Sequence, residues 1–123
     1  KESYKYIGIP YIWGGNNPQG FDCSGLVQWV LKKTHDILIE RTTGLQSKKW
    51  SSELKFDLSQ IKPGDLIYFT TKINQISHVG VYSGDHKFIH APNRKTQVKE
   101  SKLSDYWLNK FAGYLNLEVL LKR

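Results

Sequence analysis

The sequence has little cysteine: Cys23 is the only one among 123 residues. A single cysteine excludes an internal disulfide and any zinc site built on cysteine pairs. The four histidines lack the helical spacing with glutamate that is typical of metalloproteases, so we expect neither a metal nor another cofactor. Long apolar runs are also missing, and with no stretch of about 18 apolar residues we expect no membrane-spanning segment.

The composition that is present favours a folded chain, because 39% of the residues are hydrophobic and 13% are aromatic. The length suits one domain over residues 1–123, with no repeat or linker to divide it. A net charge of +7 attracts polyanions, although a solvated surface explains the same charge. The lysines are scattered and form no stripe with interleaved aromatics, so we expect no nucleic-acid partner.

The first half of the sequence predicts helices and a loop. A short helix is predicted over residues 1–9, and the run GGNNPQG at 14–20 is typical of a loop. A helix over 23–34 follows from apolar residues at helical spacing, and Asp22 stands where an N-cap belongs. A second helix is predicted around 45–54.

The second half changes to the period of strands. Short apolar runs at 66–69, 79–82 and 88–90 are separated by turn residues, which predicts an antiparallel meander. A short amphipathic helix is predicted over 103–111, and a last strand over 114–121. Helices followed by an antiparallel sheet give an α+β fold.

Cys23 is a candidate nucleophile, although a buried structural cysteine is the alternative. It lies in the first turn of the predicted helix, where backbone N–H groups and the helix dipole lower a thiol pKa. It also follows a glycine-rich loop, and Ser24 and Gly25 keep the next positions small. Low pKa and access are what a nucleophilic thiol needs.

A thiol nucleophile needs a proton acceptor, and histidine suits neutral pH. His78 precedes one predicted strand and His90 ends the next. Adjacent antiparallel strands bring these two positions together, so His90 can orient His78 as the third member of a triad does. Taken alone, each histidine is better explained as a polar residue at a strand end.

Five blocks, in order along nearly the whole chain, resemble the NlpC/p60 family of cell-wall cysteine peptidases. They are GIPYIWGG at 8–15, GFDCSGLV at 20–27, PGDL at 63–66, SHVGVY at 77–82 and FIHAP at 88–92. The resemblance implies a papain-like α+β fold with N-terminal helices packed on a central antiparallel sheet. It implies peptidoglycan hydrolysis by a cysteine endopeptidase, at the bond between D-glutamate and diaminopimelate or lysine of the stem peptide.

The same resemblance implies roles for individual residues. Cys23 is the nucleophile, His78 the base and acid, His90 the orienting residue, and Tyr11 an oxyanion contact beside the backbone N–H of Cys23. Such preorganised donors supply about 3–4 kcal/mol each.

Four further residues are candidate substrate contacts. Asp22 and Ser24 match positions that bind the amino terminus of the stem peptide in some members, although the capping role of Asp22 competes with this. Arg41 can line the groove and meet a carboxylate, or lie on the surface near a helix start. Trp13 is a candidate sugar platform, with wall or core packing as the alternative; Trp29, Trp50 and Trp107 are assigned to packing.

The resemblance also implies partners and a location. We expect a monomer that is extracellular or associated with the bacterial cell wall, with stem peptides and anionic wall polymers as partners. The opening residues show no signal peptide, as expected for a domain cut from a longer protein. The alternatives are a catalytically silent wall-binding module, or another amidase or acyltransferase on the same fold.

Overall fold

The computed structural model describes residues 2–122 and shows helices packed on an antiparallel sheet, which confirms the predicted α+β class. The helices are α1 (Cys23–His35), α2 (Thr43–Lys49), α3 (Asp105–Leu108) and α4 (Leu117–Leu121). The strands are β1 (Asn16–Asn17), β2 (Gly20–Phe21), β3 (Leu66–Phe69), β4 (His78–Gly84), β5 (Lys87–His90), β6 (Lys99–Lys102) and β7 (Phe111–Leu115). Short 3₁₀ helices cover Glu2–Tyr6, Ser51–Glu53 and Leu58–Gln60.

The main sheet has five antiparallel strands in the order β6-β5-β4-β3-β7. Strands β3 to β5 form the predicted meander, β6 extends it beside β5, and β7 returns to pair with the outer edge of β3. The register places Phe69 opposite His78, which fixes the end of β3 against the start of β4. Gly80 permits the close approach of β5, because an added Cβ there would lie 3.1 Å from the Cβ of His90.

Successive side chains of a strand point to opposite faces of the sheet, and β3 buries residues on both faces. Leu66 and Tyr68 of β3 belong to one apolar cluster, with Val27 and Leu31 of α1. The opposite face buries a second cluster that includes Ile67 and Phe69, closed by Leu103 and Trp107. Helix α1 therefore lies against one face of the sheet while the segment around α3 covers the other.

The start of α1 is fixed by Asp22, as predicted. Its carboxylate accepts a hydrogen bond from the backbone N–H of Gly25 at 2.7 Å. Gly25 has to be glycine, since a Cβ at this position would lie 2.0 Å from the carbonyl oxygen of Gly15. The glycine-rich loop thus packs directly onto the first turn of the helix.

The turn before β3 is held by a buried carboxylate, Asp65, which is 3% exposed. It accepts hydrogen bonds from the backbone N–H groups of Lys62 and Leu117 and from the side-chain amide of Asn116, at 2.8–3.0 Å. These bonds tie the Pro63–Asp65 turn to the start of α4. The Pro-Gly-Asp pattern at 63–65 is therefore explained by its role in the fold.

Several predicted element bounds are wrong. The predicted last strand over 114–121 is instead the end of β7 followed by α4, because the Asp65 contacts stop the strand at Asn116. The predicted helix at 45–54 begins earlier, at Thr43, where the Thr42 hydroxyl caps it, and ends at Lys49 before a 3₁₀ turn. Helix α3 has only four of the nine predicted residues.

The remaining differences are small. The predicted helix over 1–9 is a 3₁₀ helix at Glu2–Tyr6, and Lys1 lies outside the described residues. The predicted loop at 14–20 contains most of the β1–β2 pair, and β6 was not predicted. Within residues 2–122, every helix is too short or too polar to cross a bilayer.

Candidate active site

The candidate site is a cavity of about 910 Å³ at the end of the sheet where α1 begins. Seven of the eight residues predicted for the site line it: Tyr11, Trp13, Asp22, Cys23, Ser24, Arg41 and His78. The eighth, His90, lies behind His78 and is fully buried. The structure therefore brings all eight predicted residues together.

Cys23 is the first residue of α1 and is partly buried at the wall of the cavity. Its Sγ lies 3.4 Å from the hydroxyl oxygen of Thr43, the first residue of α2. Among residues 2–122, no hydrogen bond joins this thiol to His78, although both side chains line the cavity. Hydrogen bonds in catalytic sites often tighten only when substrate binds.

The thiol pKa departs from the sequence-based expectation. Burial raises the pKa of Cys23, and the charge of Asp22 acts in the same direction. Hydrogen bonds from the Thr43 hydroxyl and from the backbone amides of Val79 and Ser24 act against this rise without cancelling it. The prediction of a lowered pKa is wrong because desolvation exceeds the effect of the helix start.

The two histidines form a hydrogen-bonded pair, as predicted. His78 Nε2 lies 2.8 Å from His90 Nδ1, and His90 Nε2 lies 2.8 Å from the hydroxyl of Ser101 on β6. His78 Nδ1 has no hydrogen-bond partner among the described residues. A tautomer with the proton on Nε2 leaves Nδ1 of His78 as a proton acceptor on the cavity side of this chain.

Both histidines are held neutral by their surroundings. Burial lowers the pKa of His78, which is 4% exposed. Burial also lowers the pKa of His90, and the neighbouring His78 and Lys99 lower it further. Neutral imidazoles suit proton acceptance, because a ring that is already charged has no lone pair to offer.

Tyr11 lies in the chain segment that runs beside β2. Burial raises its pKa, and the nearby Cys23 and Asp22 raise it further, which keeps the phenol protonated. The hydroxyl makes no hydrogen bond with any residue from 2 to 122. It is therefore available as a donor on the same cavity as the thiol.

A polar cluster lies beside the thiol. The guanidinium of Arg41 binds the carboxylate of Asp22 through both terminal nitrogens, at 3.0 and 3.1 Å, and also contacts the buried hydroxyl of Ser24 at 3.0 Å. Arg41 further reaches the carbonyl oxygen of Gly15 at 3.4 Å. Arg41 is thus part of the cavity wall, and Asp22 joins it to the helix start.

Trp13 is not core, since 71% of its surface is exposed at the rim of the cavity. The guanidinium of Arg94 lies 5.8 Å from its ring centroid. The predicted alternative of core packing is therefore wrong for this residue. An exposed aromatic ring beside a cation offers a flat contact surface for a ligand.

Sequence reasoning missed three residues of the site. Thr43 contacts the thiol, Ser101 contacts His90, and Trp107 stacks on His78 with ring centroids 5.3 Å apart and planes 25° apart. Each acts through a long-range contact that no local pattern indicates. Within the described residues, no three histidine, cysteine or carboxylate side chains cluster as metal ligands.

The arrangement suits nucleophilic acyl transfer. A thiol, an imidazole nitrogen without a partner and a protonated phenol share one cavity. In the first turn of α1 the N–H of Gly25 binds Asp22, which leaves the N–H groups of Cys23 and Ser24 to bind negative charge near the thiol. Together these groups are the parts of a site that attacks a carbonyl carbon and stabilises the resulting oxyanion.

The NlpC/P60 family model matches residues 8–116. Similar curated proteins include the Gamma-DL-glutamyl hydrolase of Bacillus subtilis, 44% identical over 98% of this chain, and the Murein DD-endopeptidase MepH of Escherichia coli, 40% identical over 87%. The chain spans 29% of the first relative's length and 40% of the second's.

Solved structures confirm the predicted architecture. An NlpC/P60 family protein from Bacillus cereus superposes with a TM-score of 0.82 at 32% identity, covering 93% of this chain and 37% of that one. The NlpC/p60 domain of the peptidoglycan hydrolase SagA superposes with a TM-score of 0.79 at 34% identity. That match covers 94% of this chain and 93% of the SagA domain.

Proposed function

The chain belongs to the NlpC/P60 family, and from this premise we propose that it is a cysteine peptidase that cleaves peptidoglycan stem peptides. The bond proposed is the one between D-glutamate and the third residue, diaminopimelate or lysine. One observation carries the proposal: Cys23 and His78 open onto one cavity, and His78 is held by His90 through Nε2 while its Nδ1 has no partner among residues 2–122.

In the proposed reaction the thiol of Cys23 transfers its proton to Nδ1 of His78 as sulfur attacks the γ-carbonyl carbon of D-glutamate. The carbonyl π electrons move to oxygen, and the oxyanion is stabilised by the Tyr11 hydroxyl and the backbone N–H of Cys23. Collapse of this intermediate breaks the C–N bond, and His78 returns its proton to the leaving amine. Water then hydrolyses the thioester, with His78 again accepting a proton.

The histidine pair sets the tautomer that this reaction needs. In the proposed tautomer, His78 Nε2–H donates to His90 Nδ1 and His90 Nε2–H donates to the Ser101 hydroxyl, across the two 2.8 Å contacts. With these protons fixed, only Nδ1 of His78 is left to accept the thiol proton. His90 is therefore proposed to orient His78 and to strengthen its hydrogen bond when His78 becomes charged.

The substrate is proposed to lie along the cluster of Asp22, Ser24 and Arg41 and to reach the exposed ring of Trp13. Asp22 caps α1 and binds Arg41, so any contact with a substrate amine is shared with these partners. Both terminal nitrogens of Arg41 already donate to Asp22, Ser24 and Gly15, so Arg41 would meet a substrate carboxylate through its Nε–H and its positive charge. Both contacts would position the scissile carbonyl beside the thiol.

Other γ-linked glutamyl chains are a second candidate substrate. The cations lining the cavity, Arg41, Lys72 and Lys99, outnumber its single carboxylate, Asp22, so its walls favour free carboxylates. One similar protein is itself named a Gamma-DL-glutamyl hydrolase. The stem peptide and a γ-glutamyl polymer both contain a γ-glutamyl amide bond, so comparing the cleavage of the two substrates shows which one the protein prefers.

The proposed location is outside the cytoplasm or at the cell wall, with the domain acting as a monomer within a larger protein. The relatives' names refer to murein and peptidoglycan, which supports this location. The net charge of +7 supports attraction to anionic wall polymers, which salt would screen.

The proposal is tested by mass spectrometry of digests. Lysine-type muropeptides, diaminopimelate-type muropeptides and poly-γ-glutamate are each incubated with the wild-type protein and with Cys23→Ala. We expect products cut after D-glutamate with the wild type only. Cleavage of a D,D bond, or equal cleavage by Cys23→Ala, would reject the proposed reaction.

A further inference from the structure

The indole ring of Trp107 stacks on the imidazole of His78 and lies closer to parallel with it than the ring of Phe69 does. The indole and imidazole centroids are 5.3 Å apart with planes at 25°, whereas Phe69 lies 6.0 Å away at 36°. Trp107 also meets His90 edge-on at 5.1 Å. One indole therefore contacts both members of the histidine pair.

The position of this indole is fixed from several sides. Trp107 packs on Phe69 of β3 at 4.9 Å and on Phe88 of β5 at 5.3 Å. The short helix α3 that carries it is anchored by Leu103, which is 2% exposed. The ring is thus held against His78 by the sheet and does not depend on a mobile surface contact.

His78 faces an energetic difficulty when it accepts a proton, because burial disfavours its charged form. Cys23 of α1 shares the cavity with His78, and His90 of β5 binds its Nε2. Among the described residues, the other titratable side chains on the cavity walls are Tyr11, Asp22, Arg41, Lys72, Lys99 and Tyr106, and α3 also presents the neutral Trp107. Of the Trp107 and Phe69 rings against His78, that of Trp107 is nearer and more parallel, and an indole face attracts positive charge more strongly than a phenyl face.

We propose that Trp107 is a positioning residue that stabilises the imidazolium of His78 formed when the Cys23 proton moves to Nδ1. The face of an indole attracts a cation more strongly than that of any other side chain. This attraction is weak while His78 is neutral and strong once it is charged, so it favours the transition state over the resting state. The inference rests on the proposed role of His78, although its test does not require a peptide substrate.

The test uses alkylation of Cys23 by iodoacetamide, since Cys23 is the only cysteine in the chain. At pH 6–8 the reaction depends on proton transfer to His78, and we expect Trp107→Leu to react about 3- to 10-fold more slowly than the wild type. At high pH, where base removes the thiol proton, the two rates should converge. Trp107→Phe, which keeps a weaker ring face, should fall between them.

The pH dependence separates this role from simple packing. Trp29→Leu is the matched control, because Trp29 packs on Phe21 and hydrogen-bonds to Tyr6 without contacting His78. It should leave the alkylation profile unchanged in the folded fraction, which circular dichroism measures. A loss in Trp107→Leu that is equal at all pH values, or no loss at neutral pH, would overturn the proposal.

Muropeptide kinetics provide a second readout. Trp107→Leu should lower kcat with little change in KM, and Trp107→Phe should restore part of kcat. A change in KM alone would show that Trp107 contacts the substrate and would reject the positioning role. If the wild type cleaves no muropeptide but the alkylation profiles differ as expected, the proposed substrate fails while the inference about Trp107 stands.

Discussion

Two buried polar clusters lie at opposite ends of β3. At its start, Asp65 accepts three hydrogen bonds, two from backbone N–H groups and one from Asn116. At its end, Phe69 is paired with His78, where the chain of two histidines and Ser101 begins. Both clusters come from blocks that the family resemblance marks, yet only the second opens onto the cavity.

The difference lies in what each cluster leaves unpaired. Both carboxylate oxygens of Asp65 are engaged by donors that hold a turn and a helix start together, so nothing remains for a ligand. The histidine chain leaves Nδ1 of His78 without a partner among residues 2–122. A polar cluster with every group paired stabilises a fold, whereas one with an open position can also move a proton.

The largest expected effect is on activity at the histidine end. His78→Gln keeps a polar side chain of similar size but accepts no proton at neutral pH, so kcat on muropeptides should fall by roughly 10³- to 10⁴-fold. The free energy of unfolding at pH 7 should change by much less than the activation free energy that this loss of kcat represents. Stopped assays with purified muropeptides measure the first quantity and urea titration the second.

At the Asp65 end of β3 we expect the reverse, a large loss of stability with little loss of activity. Asp65→Asn offers one acceptor oxygen where three donors converge, so it should lower the free energy of unfolding by about 2–4 kcal/mol. Activity per folded molecule should stay within about twofold of the wild type, since Asp65 lies outside the cavity. Urea titration measures the change in stability, and kcat normalised by active-site titration of Cys23 measures the activity per folded molecule. A large loss of this normalised kcat would remove the distinction between the two clusters.

The histidine pair should also make the stability of the fold depend on pH. Burial lowers the pKa of His78 from about 6.5 in an unfolded chain to about 4. The unfolded chain then binds more protons below pH 6.5, so the free energy of unfolding should fall as the pH drops from 6.5 towards 4. Each buried histidine contributes up to about 1.4 kcal/mol per pH unit in this window.

Urea titrations at several pH values measure this slope. It should become shallower in His78→Gln and stay unchanged in the control His35→Gln, because His35 is exposed at the end of α1. Equal slopes in His78→Gln and the wild type would contradict a neutral, buried His78.

The smallest effect is expected at Ser101, the outer end of the histidine chain. Ser101→Ala removes the acceptor for His90 Nε2–H, so we expect kcat to fall about 3- to 10-fold with KM unchanged. Ser83→Ala is the matched control, because Ser83 bonds to Glu100 and not to a histidine. If both variants kept full kcat, Ser101 would have no part in setting the tautomer.

Much of this site follows from local sequence signals. The cap at Asp22, the helix that starts at Cys23 and the strands that bring His78 to His90 all follow from turn residues and periodicity. The remaining parts depend on distant contacts. Strand β6 was missed because its sequence, KESK, has no apolar alternation, and Ser101 was missed with it.

Trp107 and the thiol pKa show the same limit. A tryptophan in a short amphipathic segment indicates packing, and only the tertiary structure places its ring on His78. The helix start predicted a lowered pKa for Cys23, but burial depends on how the whole cavity closes around the thiol. Sequence patterns therefore predicted that Cys23, His78 and His90 meet, whereas the contacts of Ser101 and Trp107 and the charge state of the thiol required the packed structure.

The most direct test of the central claim, that His78 takes the proton of Cys23, is the pH profile of Cys23 alkylation in the wild type and in His78→Gln. At pH 7 the wild type should react at least about tenfold faster, because an isolated, buried thiol is almost entirely protonated there. Above the thiol pKa the two rates should converge. Equal rates at pH 7 would contradict the assignment of His78 as the proton acceptor of Cys23.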